Sequence, residues 1–398
     1  MENWRKNIAY FLVGQGLSLF GSMVVYYAIL WHITLSTGSG VMMMWFIIAG
    51  TLPLLFTSPF GGVLADRFNK KHLINIADGT IAIVTLFLAI GFFLGEPTMY
   101  LLFLCIAVRS LGQGIQSPAI NALIPEIVPK EKLTRINGIN GSLQYSVMLF
   151  SPVLGAVLLT FMSLPAILLI DVVTATLGII LLYFFVKVNH EKKVTKVTYF
   201  EELKRGVKYI HNSKFLRAFL LIMIIFMFMI TPVASLTPLH ISREFGELAW
   251  KLSVSESLFF AGSILGGIII SIWGGFKQKS YTMALATVLT GIIIAVLGII
   301  HNFWIFVIIA GISGITAALF NPIMMSVMQI NVDKEYMGRV FSMITMVSSV
   351  VMPISIMVWG PLADIYSTSL LFIISGVVIF FLSLFFIFNK PILEAGAK

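Results

Sequence analysis

Four charged side chains stand inside long apolar stretches of this chain, where charge is otherwise rare. They are the acids Asp78, Asp171 and Glu256 and the base Arg109. A charge at the centre of a membrane-spanning helix costs roughly 2.5 to 3.5 kcal/mol on insertion scales, so each needs a reason. A buried carboxyl group can take up and release a proton, whereas a guanidinium stays charged and holds an anion or orients a polar network. These residues therefore predict proton coupling, with the three acids as alternative carriers.

The positions of these charges suggest how they pair. Asp171 lies in the outer half of its apolar run and can reach the depth of Arg109. Asp78 lies about one and a half turns from the inner boundary, so it could instead pair with the basic loop that precedes it. For all three acids the alternative is a fixed ion pair, or a side chain that snorkels to the membrane surface.

Twelve apolar runs carry these residues, and each is long enough to cross the roughly 30 Å hydrocarbon core as a helix. Lipid offers the backbone no hydrogen-bond partners, which favours helices over open sheets. Pro232, Pro238 and Pro322 are expected to break the seventh and tenth runs. The sequence thus predicts an all-α membrane protein with transmembrane helices over about 8–33, 41–65, 73–94, 99–123, 137–161, 165–187, 215–240, 253–275, 281–300, 303–329, 338–362 and 369–389.

The basic residues indicate which helix ends face the cytoplasm. Of the 26 lysines and arginines, 23 fall in one alternating set of connections and termini, Arg243 and Lys251 fall in the other set, and Arg109 lies within a run. Basic residues collect on the cytoplasmic side of membrane proteins. We therefore expect an N-in/C-in topology, with both termini cytoplasmic. The formal net charge of +9 then reflects topology, and no nucleic-acid partner is expected.

A long polar segment divides the chain into two halves. We expect six-helix bundles at residues 1–187 and 215–398, joined by a cytoplasmic linker at 188–214. Within the linker, residues 199–214 have helical apolar spacing with basic residues opposite. This segment either lies along the inner membrane surface or is a solvated tether.

The two halves also repeat in sequence. The stretch SPAINALIPEIVPKEKLTR (117–135) aligns with NPIMMSVMQINVDKEYMGR (321–339) at a constant offset of 204. A proline, a Lys-Glu pair and an arginine coincide in this alignment. Two parallel repeats of six helices are typical of transporters that alternate access to a central site.

The connection between the second and third runs, GGVLADRFNKKHLI (61–74), concentrates charge in a few residues. Gly61 and Gly62 allow close approach of a neighbouring helix. Asp66 ends the second run, where its carboxylate can face the positive N-terminus of another helix. Such contacts can form in one conformational state and break in another. The alternative is an ordinary basic loop on the cytoplasmic side.

The same stretch resembles the signature G-x-L-A-D-R-x-G-R-K-x of the major facilitator superfamily, with Asn69 for the second glycine and Lys70 for the arginine. The resemblance implies a loop that holds the two halves together in one state. The residues that this implies for the switch, with a further partner at the inner end of the fourth run, are Gly62, Asp66, Arg67, Lys70, Lys71 and Glu126. GPLAD (360–364) imitates the signature on the outer side, where we expect small-residue packing and an aspartate that ends a helix.

Two further resemblances narrow the function. SPVLGA (151–156) is similar to the motif G-P-x-x-G-G of antiporters in this superfamily, and keeps Pro152 and Gly155. The stretches at 109–134, 201–210 and 334–364 resemble the macrolide-efflux branch. This resemblance implies drug/proton antiport at the bacterial plasma membrane.

In this fold the substrate cavity is lined mainly by the first, fourth, seventh and tenth helices, as the resemblance implies. These runs and the fifth supply amide, aromatic and methionine side chains, which form pockets that adapt to varied ligands. The alternative for each residue is a packing or lipid-facing role. The candidates are Gln15, Tyr26, Tyr27, Gln113, Gln116, Asn140, Gln144, Met227, Met229, Asn321 and Met325.

The sequence lacks the motifs that mark nucleotide-binding proteins and hydrolases. The sequence contains no G-x-x-x-x-G-K-[ST] phosphate loop, no H-E-x-x-H and no G-x-S-x-G. One cysteine and scattered histidines predict neither a disulfide nor a metal site, and no cofactor is expected. We therefore expect a monomeric secondary active exporter of multiple drugs, macrolides among them, driven by proton antiport, and not an enzyme. The alternatives are an exporter of another amphipathic compound, such as a lipid or siderophore, or a non-transporting membrane receptor or enzyme.

Overall fold

The computed structural model describes residues 4–95, 98–188, 207–333 and 336–397. Within these ranges twelve helices are long and apolar enough to cross a membrane, and each coincides with one of the twelve predicted runs. They are α1 Trp4–Thr37, α2 Gly40–Arg67, α3 Lys70–Leu94, α4 Met99–Ile127, α5 Leu133–Phe161, α6 Leu164–Ile180, α7 Lys214–Phe245, α8 Ala249–Trp273, α9 Lys279–Leu297, α10 Phe303–Asn331, α11 Met337–Ile365 and α12 Thr368–Leu382. A π-helical turn, Leu181–Phe185, follows α6, the short helix Leu384–Phe388 follows α12, and α13 spans Lys390–Gly396.

The helices form two compact units. The first unit comprises Met1–Ser36 and Trp45–Thr195, and the second comprises Thr37–Met44 and Lys196–Lys398. The first unit therefore contains α1 to α6, apart from the end of α1 and the first residues of α2, which cluster with α7 to α13. Much of the linker predicted at 188–214 lies outside the described residues.

In the first unit α3 is packed against both α4 and α6. A serine on α4 also ties that helix to α2. The hydroxyl of Ser110 donates a hydrogen bond to the carbonyl oxygen of Gly50 (2.7 Å) and accepts one from the amide of Leu54 (3.0 Å). Pro53 lies inside α2 at this level and brings no N–H of its own. Helix α1 also contacts this group through hydrogen bonds of Ser18 to α3 and of Ser22 to α6. The polar side chains of α1, α3, α4 and α6 therefore lie close to one another in the first unit.

In the second unit the prolines do not break the helices, contrary to the prediction. Helix α7 runs continuously through Pro232 and Pro238, and α10 runs through Pro322. Pro232 has no N–H to donate to the carbonyl of Phe228, one turn earlier. That carbonyl instead accepts hydrogen bonds from Ser355 Oγ (2.7 Å) and Trp359 Nε1 (3.1 Å), both on α11. A neighbouring helix thus satisfies the freed backbone group, which is how membrane helices tolerate proline.

Candidate functional site

Arg109 and Asp171 form a buried ion pair in the middle of the first unit. Arg109 is 4% exposed and Asp171 is fully buried. A guanidinium Nη1 hydrogen of Arg109 is donated to Asp171 Oδ2. The predicted meeting of these two side chains is confirmed. Each charge neutralises the other where an isolated charge would be costly.

Two hydroxyl groups form hydrogen bonds with this ion pair. Ser22 on α1 donates to Asp171 Oδ1 (3.1 Å), and Thr85 on α3 donates to Asp171 Oδ2 (3.3 Å) while accepting from Arg109 Nη1. Four helices therefore converge on one carboxylate. Sequence reasoning missed Thr85, because a single threonine in an apolar run carries no signal of its orientation.

Asp78 does not make the pairing with the basic loop that the sequence left open. It is 2% exposed and does not pair with the basic loop. Its Oδ1 accepts hydrogen bonds from Ser18 Oγ on α1 (2.7 Å) and Gln116 Nε2 on α4 (2.6 Å). Its Oδ2 has no hydrogen-bond partner among the described residues, and neither has the nearby buried amide Gln15 Nε2. The side chain of Asp78 points from α3 toward α1 and α4, and not toward the basic residues at the N-terminal end of α3.

A cavity of about 310 Å³ opens beside Asp78 within the first unit. The two donors that hold Asp78, Ser18 and Gln116, line it. Five of the predicted substrate residues also line it: Gln15, Gln113, Gln116, Asn140 and Gln144. Its wall is mixed, since apolar residues complete it, namely Leu19, Met23, Leu54, Ile120, Leu143 and Met148. Such a mixed wall suits an amphipathic ligand.

Tyr26 and Tyr27, also predicted for the cavity, do not line it. They form an aromatic group with neighbouring rings: Tyr26 lies 5.1 Å from Phe46 and Tyr27 lies 5.5 Å from Trp31 between ring centroids. On α1 they lie toward the C-terminal end of the helix, beyond Ser18 and Ser22, which hydrogen-bond to the buried acids. A contribution of these two side chains to substrate binding remains a prediction.

The predicted residues of the second unit are also placed outside this cavity. Met227 and Met229 are half-buried on α7, whereas Asn321 and Met325 are exposed on α10. Glu256 on α8 is half-buried and makes no hydrogen bond or ion pair with any residue that the structure describes. A contribution of these residues to substrate or proton binding remains a prediction.

The two units repeat in sequence but differ in the charged residues at equivalent positions. At the offset of 204, Arg109 corresponds to Ser313, Asp171 to Ser375 and Asp78 to Thr282. The ion pair and the buried carboxyl group of the first unit thus have no charged counterparts in the second. The buried charges among the described residues are all in the first unit.

The loop that resembles the superfamily signature is anchored mainly by its lysines. Lys70, only 7% exposed, forms a salt bridge of 2.7 Å with Glu126. Lys71 donates to the carbonyl of Val186 at 2.7 Å and lies over the ring of Tyr183. These contacts fasten the start of α3 to the ends of α4 and α6.

Asp66 and Arg67 are placed differently from the lysines. Asp66 lies in the last turn of α2, and Arg67 is its final residue. Both side chains are exposed, and neither makes a hydrogen bond or ion pair within the part of the chain that the structure describes. Their predicted switch contact is therefore not made here and remains a prediction.

The close helix contact in this region belongs to Gly61 and not to Gly62. A Cβ on Gly61 would overlap the carbonyl oxygen of Gly114 on α4, whereas a Cβ on Gly62 would meet nothing within 4 Å. The expected packing role of Gly62 is therefore wrong. One residue along a helix turns the side-chain direction by about 100°, so only one of two adjacent glycines can face α4.

We expect Gly61→Ala to destabilise the protein and Gly62→Ala to leave it nearly unchanged. The added methyl group at position 61 must push α2 from α4, and overpacking of this kind costs about 1 to 3 kcal/mol. The midpoint of thermal unfolding of each purified variant in detergent tests this. Equal midpoints for the two variants would contradict the assigned helix contact.

The residues of the antiporter-like motif lie in α5. Gly155 is packed against α1, where a Cβ would lie 3.4 Å from atoms of Tyr27 and Trp31. Pro152 lies inside the helix, and the flanking Ser151 and Ala156 are buried. The small residues of SPVLGA thus allow α5 and α1 to lie close together.

The stretch GPLAD (360–364) shows the expected packing and a capping contact in the second unit. A Cβ on Gly360 would overlap Met44. Asp364 accepts hydrogen bonds from the amides of Gly40 (2.6 Å) and Val41 (3.0 Å), at the first turn of α2. Arg243 on α7 forms a salt bridge of 2.9 Å with Asp364. The aspartate therefore satisfies the free N–H groups of a helix start.

Known proteins that resemble this chain match it over most of its length. Macrolide efflux protein A of Streptococcus pyogenes is 28% identical over 382 residues, covering 95% of this chain and 94% of that protein. A protein of the same name from Enterococcus faecalis is 29% identical over 313 residues, covering 78% of this chain and 97% of that protein. The crystal structure of a bacterial homologue of the iron transporter ferroportin matches the fold with a TM-score of 0.73 at 14% identity, covering 98% of both chains.

The family model described as "Major Facilitator Superfamily" matches residues 11–355 and, in a second match, 233–397. It therefore covers most of the sequence. The chain belongs to the Major Facilitator Superfamily and is a multi-pass membrane transporter, not an enzyme.

Proposed function

We propose that the protein exports amphipathic drugs, macrolides among them, across the plasma membrane of a bacterium in exchange for protons. The names of its relatives support export of a macrolide. The observation that carries proton coupling is Asp78, which is buried beside a cavity. Among the described residues, one of its oxygens has no hydrogen-bond partner and no cation lies within ion-pair distance of it. Such a carboxyl group can exist in two protonation states at little structural cost.

The proposed cycle alternates access between two six-helix halves, residues 1–187 and 215–398, joined by the linker at 188–214. Both termini are cytoplasmic in this proposal, because 23 of 26 basic residues fall on their side. The drug enters from the cytoplasm or the inner leaflet while Asp78 is ionised. After the halves have rocked outward, protonation of Asp78 accompanies release of the drug. Return to the inward state then delivers the proton to the cytoplasm.

The other charged residues have distinct places in this proposal. Arg109 and Asp171 remain a neutral pair that positions α3 and α4 around Asp78. Glu256 is the second candidate for the proton carrier, since it also lacks a partner within the described part of the chain. Asp66 and Arg67 supply a contact made in only one state of the cycle.

Transport of labelled erythromycin by purified protein in liposomes, with and without an imposed pH gradient, tests the proposal. We expect flux that collapses when the gradient is removed. Flux of a second amphipathic drug but not of erythromycin would keep the antiporter and discard the macrolide. No gradient-dependent flux of any amphipathic compound, with folded protein, would contradict the proposal and favour a receptor role.

We expect Asp66→Asn to reduce transport while folding and membrane insertion stay intact. The side chain is exposed and makes no contact that stabilises this structure, so its loss removes only the switch contact of the other state. Erythromycin flux and the thermal midpoint, measured on the same preparation, check this. Unchanged flux would exclude the switch role of Asp66.

A further inference from the structure

Amide side chains are concentrated on the wall of the cavity in the first unit. Six of the described residues that line it are glutamine or asparagine, and none of the fifteen carries a charge. Gln113, Asn121, Asn140 and Gln144 make no side-chain hydrogen bond with any residue that the structure describes. The Nε2 group of Gln15 likewise has no partner there. These amide groups can complete their hydrogen bonds with a ligand in the cavity.

Contacts between α1 and α5 show that these two helices run in the same direction. A Cβ on Gly16 of α1 would lie 2.9 Å from the side chain of Leu143 on α5. Further along both helices, a Cβ on Gly155 would lie 3.4 Å from Tyr27. The amide residues on α1 and α5 therefore lie at similar heights along the bundle. They are Gln15, Asn140 and Gln144.

Contacts between α1 and α4 show that α4 runs the opposite way. Ser18 and Gln116 donate hydrogen bonds to the same oxygen of Asp78. Arg109, earlier on α4, donates to the backbone carbonyl of Ser22, which is later on α1. Residues that follow Gln116 on α4 therefore lie toward the amide groups of α1 and α5. Those that line the cavity are Ser117, Ile120 and Asn121.

The cavity therefore has two unlike ends. Met23 and Met148 line one end, since they lie further along α1 and α5 than the amide residues. At the other end, Ile120 and Leu143 add apolar surface between the polar groups. We call this other end the amide end, and its amide residues are Gln15, Asn121, Asn140 and Gln144.

The chemistry of the amide end favours neutral hydroxyl groups. An amide offers a carbonyl acceptor and two donor hydrogens in one plane, and a hydroxyl group both donates and accepts. An anion would leave the amide carbonyl groups unpaired, and a cation would leave the amide donors unpaired, which is costly in a desolvated site. A sugar ring presents several hydroxyl groups at its edge and a C–H face that can pack on Ile120 and Leu143.

The size of the cavity limits what part of a substrate it holds. Its volume of about 310 Å³ lies at the lower end of the roughly 300 to 1,000 Å³ that is typical of ligand pockets. It therefore suits one ring and an adjoining apolar group, and not the whole of a large drug.

We propose that this cavity binds the glycosyl group of a glycosylated amphipathic substrate at its amide end, with the apolar part toward Met23 and Met148. This inference rests on the proposed function and names the substrate class of the same site. Asn140 and Gln144 on α5 select the hydroxyl groups, because their amides line the cavity and are not engaged with described residues.

Two matched fluorescent probes test the role of hydroxyl groups on the intact protein in lipid nanodiscs, where no glycoside detergent competes. The first, 4-methylumbelliferyl β-D-xylopyranoside, carries hydroxyl groups on its ring. The second, the tetrahydropyran-2-yl ether of 4-methylumbelliferone, keeps the ring and the acetal oxygen but has no hydroxyl group. Equilibrium dialysis measures binding, and empty nanodiscs correct for probe dissolved in the lipid.

The variants remove amides while nearly preserving side-chain size. They are Asn140→Leu, Gln144→Met and the double variant, with Asn212→Leu as a control for loss of an exposed amide outside the cavity. The thermal midpoint of each protein should stay close to that of the wild type, because the replaced amides of α5 make no hydrogen bond with described residues.

We expect the wild type and Asn212→Leu to bind the xyloside at least about tenfold more tightly than the ether, since several hydrogen bonds contribute. The double variant should lose this preference. Equal affinity of the wild type for the two probes would overturn the proposal, and so would a preference that survives in the folded double variant. Failure of the xyloside to bind up to its solubility limit would overturn it as well.

Free xylose, added as a competitor, distinguishes a glycosylated amphipathic ligand from a free sugar. We expect xylose to displace the xyloside only at much higher concentration, because it lacks the apolar part. Displacement at equal concentration would assign the cavity to free sugars and contradict the proposed substrate class.

The proposed function is tested separately by erythromycin flux in liposomes. Gradient-driven flux, together with equal affinity for the two probes, would refute the glycosyl inference alone. A clear preference for the xyloside without gradient-driven flux of any drug would refute the proposed export and leave the glycosyl site standing.

Discussion

Replacing Asp171 by asparagine will lower the stability of the protein by about 3 to 5 kcal/mol, the cost of leaving a buried charge unpaired. The guanidinium of Arg109 is 4% exposed, and among the described residues Asp171 is the carboxylate with which it forms a salt bridge. It cannot deprotonate to escape the cost. We therefore expect low expression and a markedly lower midpoint of thermal unfolding in detergent.

The double variant Arg109→Met with Asp171→Leu distinguishes the contribution of the ion pair to stability from its contribution to transport. Replacing both charges by apolar groups of similar size removes the pair without leaving an orphan charge, which is often neutral for stability. We expect the double variant to recover most of the stability and part of the flux. A double variant as unstable as Asp171→Asn would show that the hydroxyl groups of Ser22 and Thr85 cannot tolerate the loss, contrary to this account.

Asp78→Asn is expected to have the opposite profile: a stable protein that no longer responds to a pH gradient. Asparagine keeps the oxygen that accepts from Ser18 and Gln116, but cannot take up a proton. In a one-for-one exchange each unit of pH difference supports about tenfold accumulation of substrate. The variant should show no such accumulation, although it still exchanges labelled for unlabelled drug.

Glu256→Gln is the matched control for this variant, because it also removes a carboxyl group from a membrane-spanning helix. We expect it to keep the response to the gradient. Loss of the response in Glu256→Gln, with the response intact in Asp78→Asn, would move the proton carrier to the second unit. Stability measured by thermal unfolding should change little in either protein.

The fold was predictable because long apolar runs have few alternatives in a membrane. The twelve runs correspond to twelve helices among the described residues, and the similar depth of Arg109 and Asp171 indicated that the two side chains could meet. Both conclusions depend on position along a helix, which the sequence reports directly. The repeat at an offset of 204 likewise indicated two similar halves.

The details that failed depend on the rotation of a helix about its axis. Gly61 and not Gly62 meets α4. Asp78, for which the sequence left a pairing with the basic loop open, turns into the bundle. No pattern within a single apolar run reports which face meets which neighbour. The carbonyl of Phe228, left free by Pro232, accepts hydrogen bonds from Ser355 and Trp359 on α11. These residues lie more than a hundred positions away, and a sequence alone does not pair them.

Proton movement driven by the drug itself tests the central claim most directly. Liposomes that contain a pH indicator and either the wild type or Asp78→Asn receive labelled erythromycin at equal pH on both sides, with the membrane potential clamped. Passive entry of the drug contributes equally to both preparations. We predict that the wild type takes up more label and that its lumen becomes more alkaline than that of the variant, because protons leave in exchange. Greater uptake of label by the wild type with identical pH traces would contradict proton exchange at Asp78.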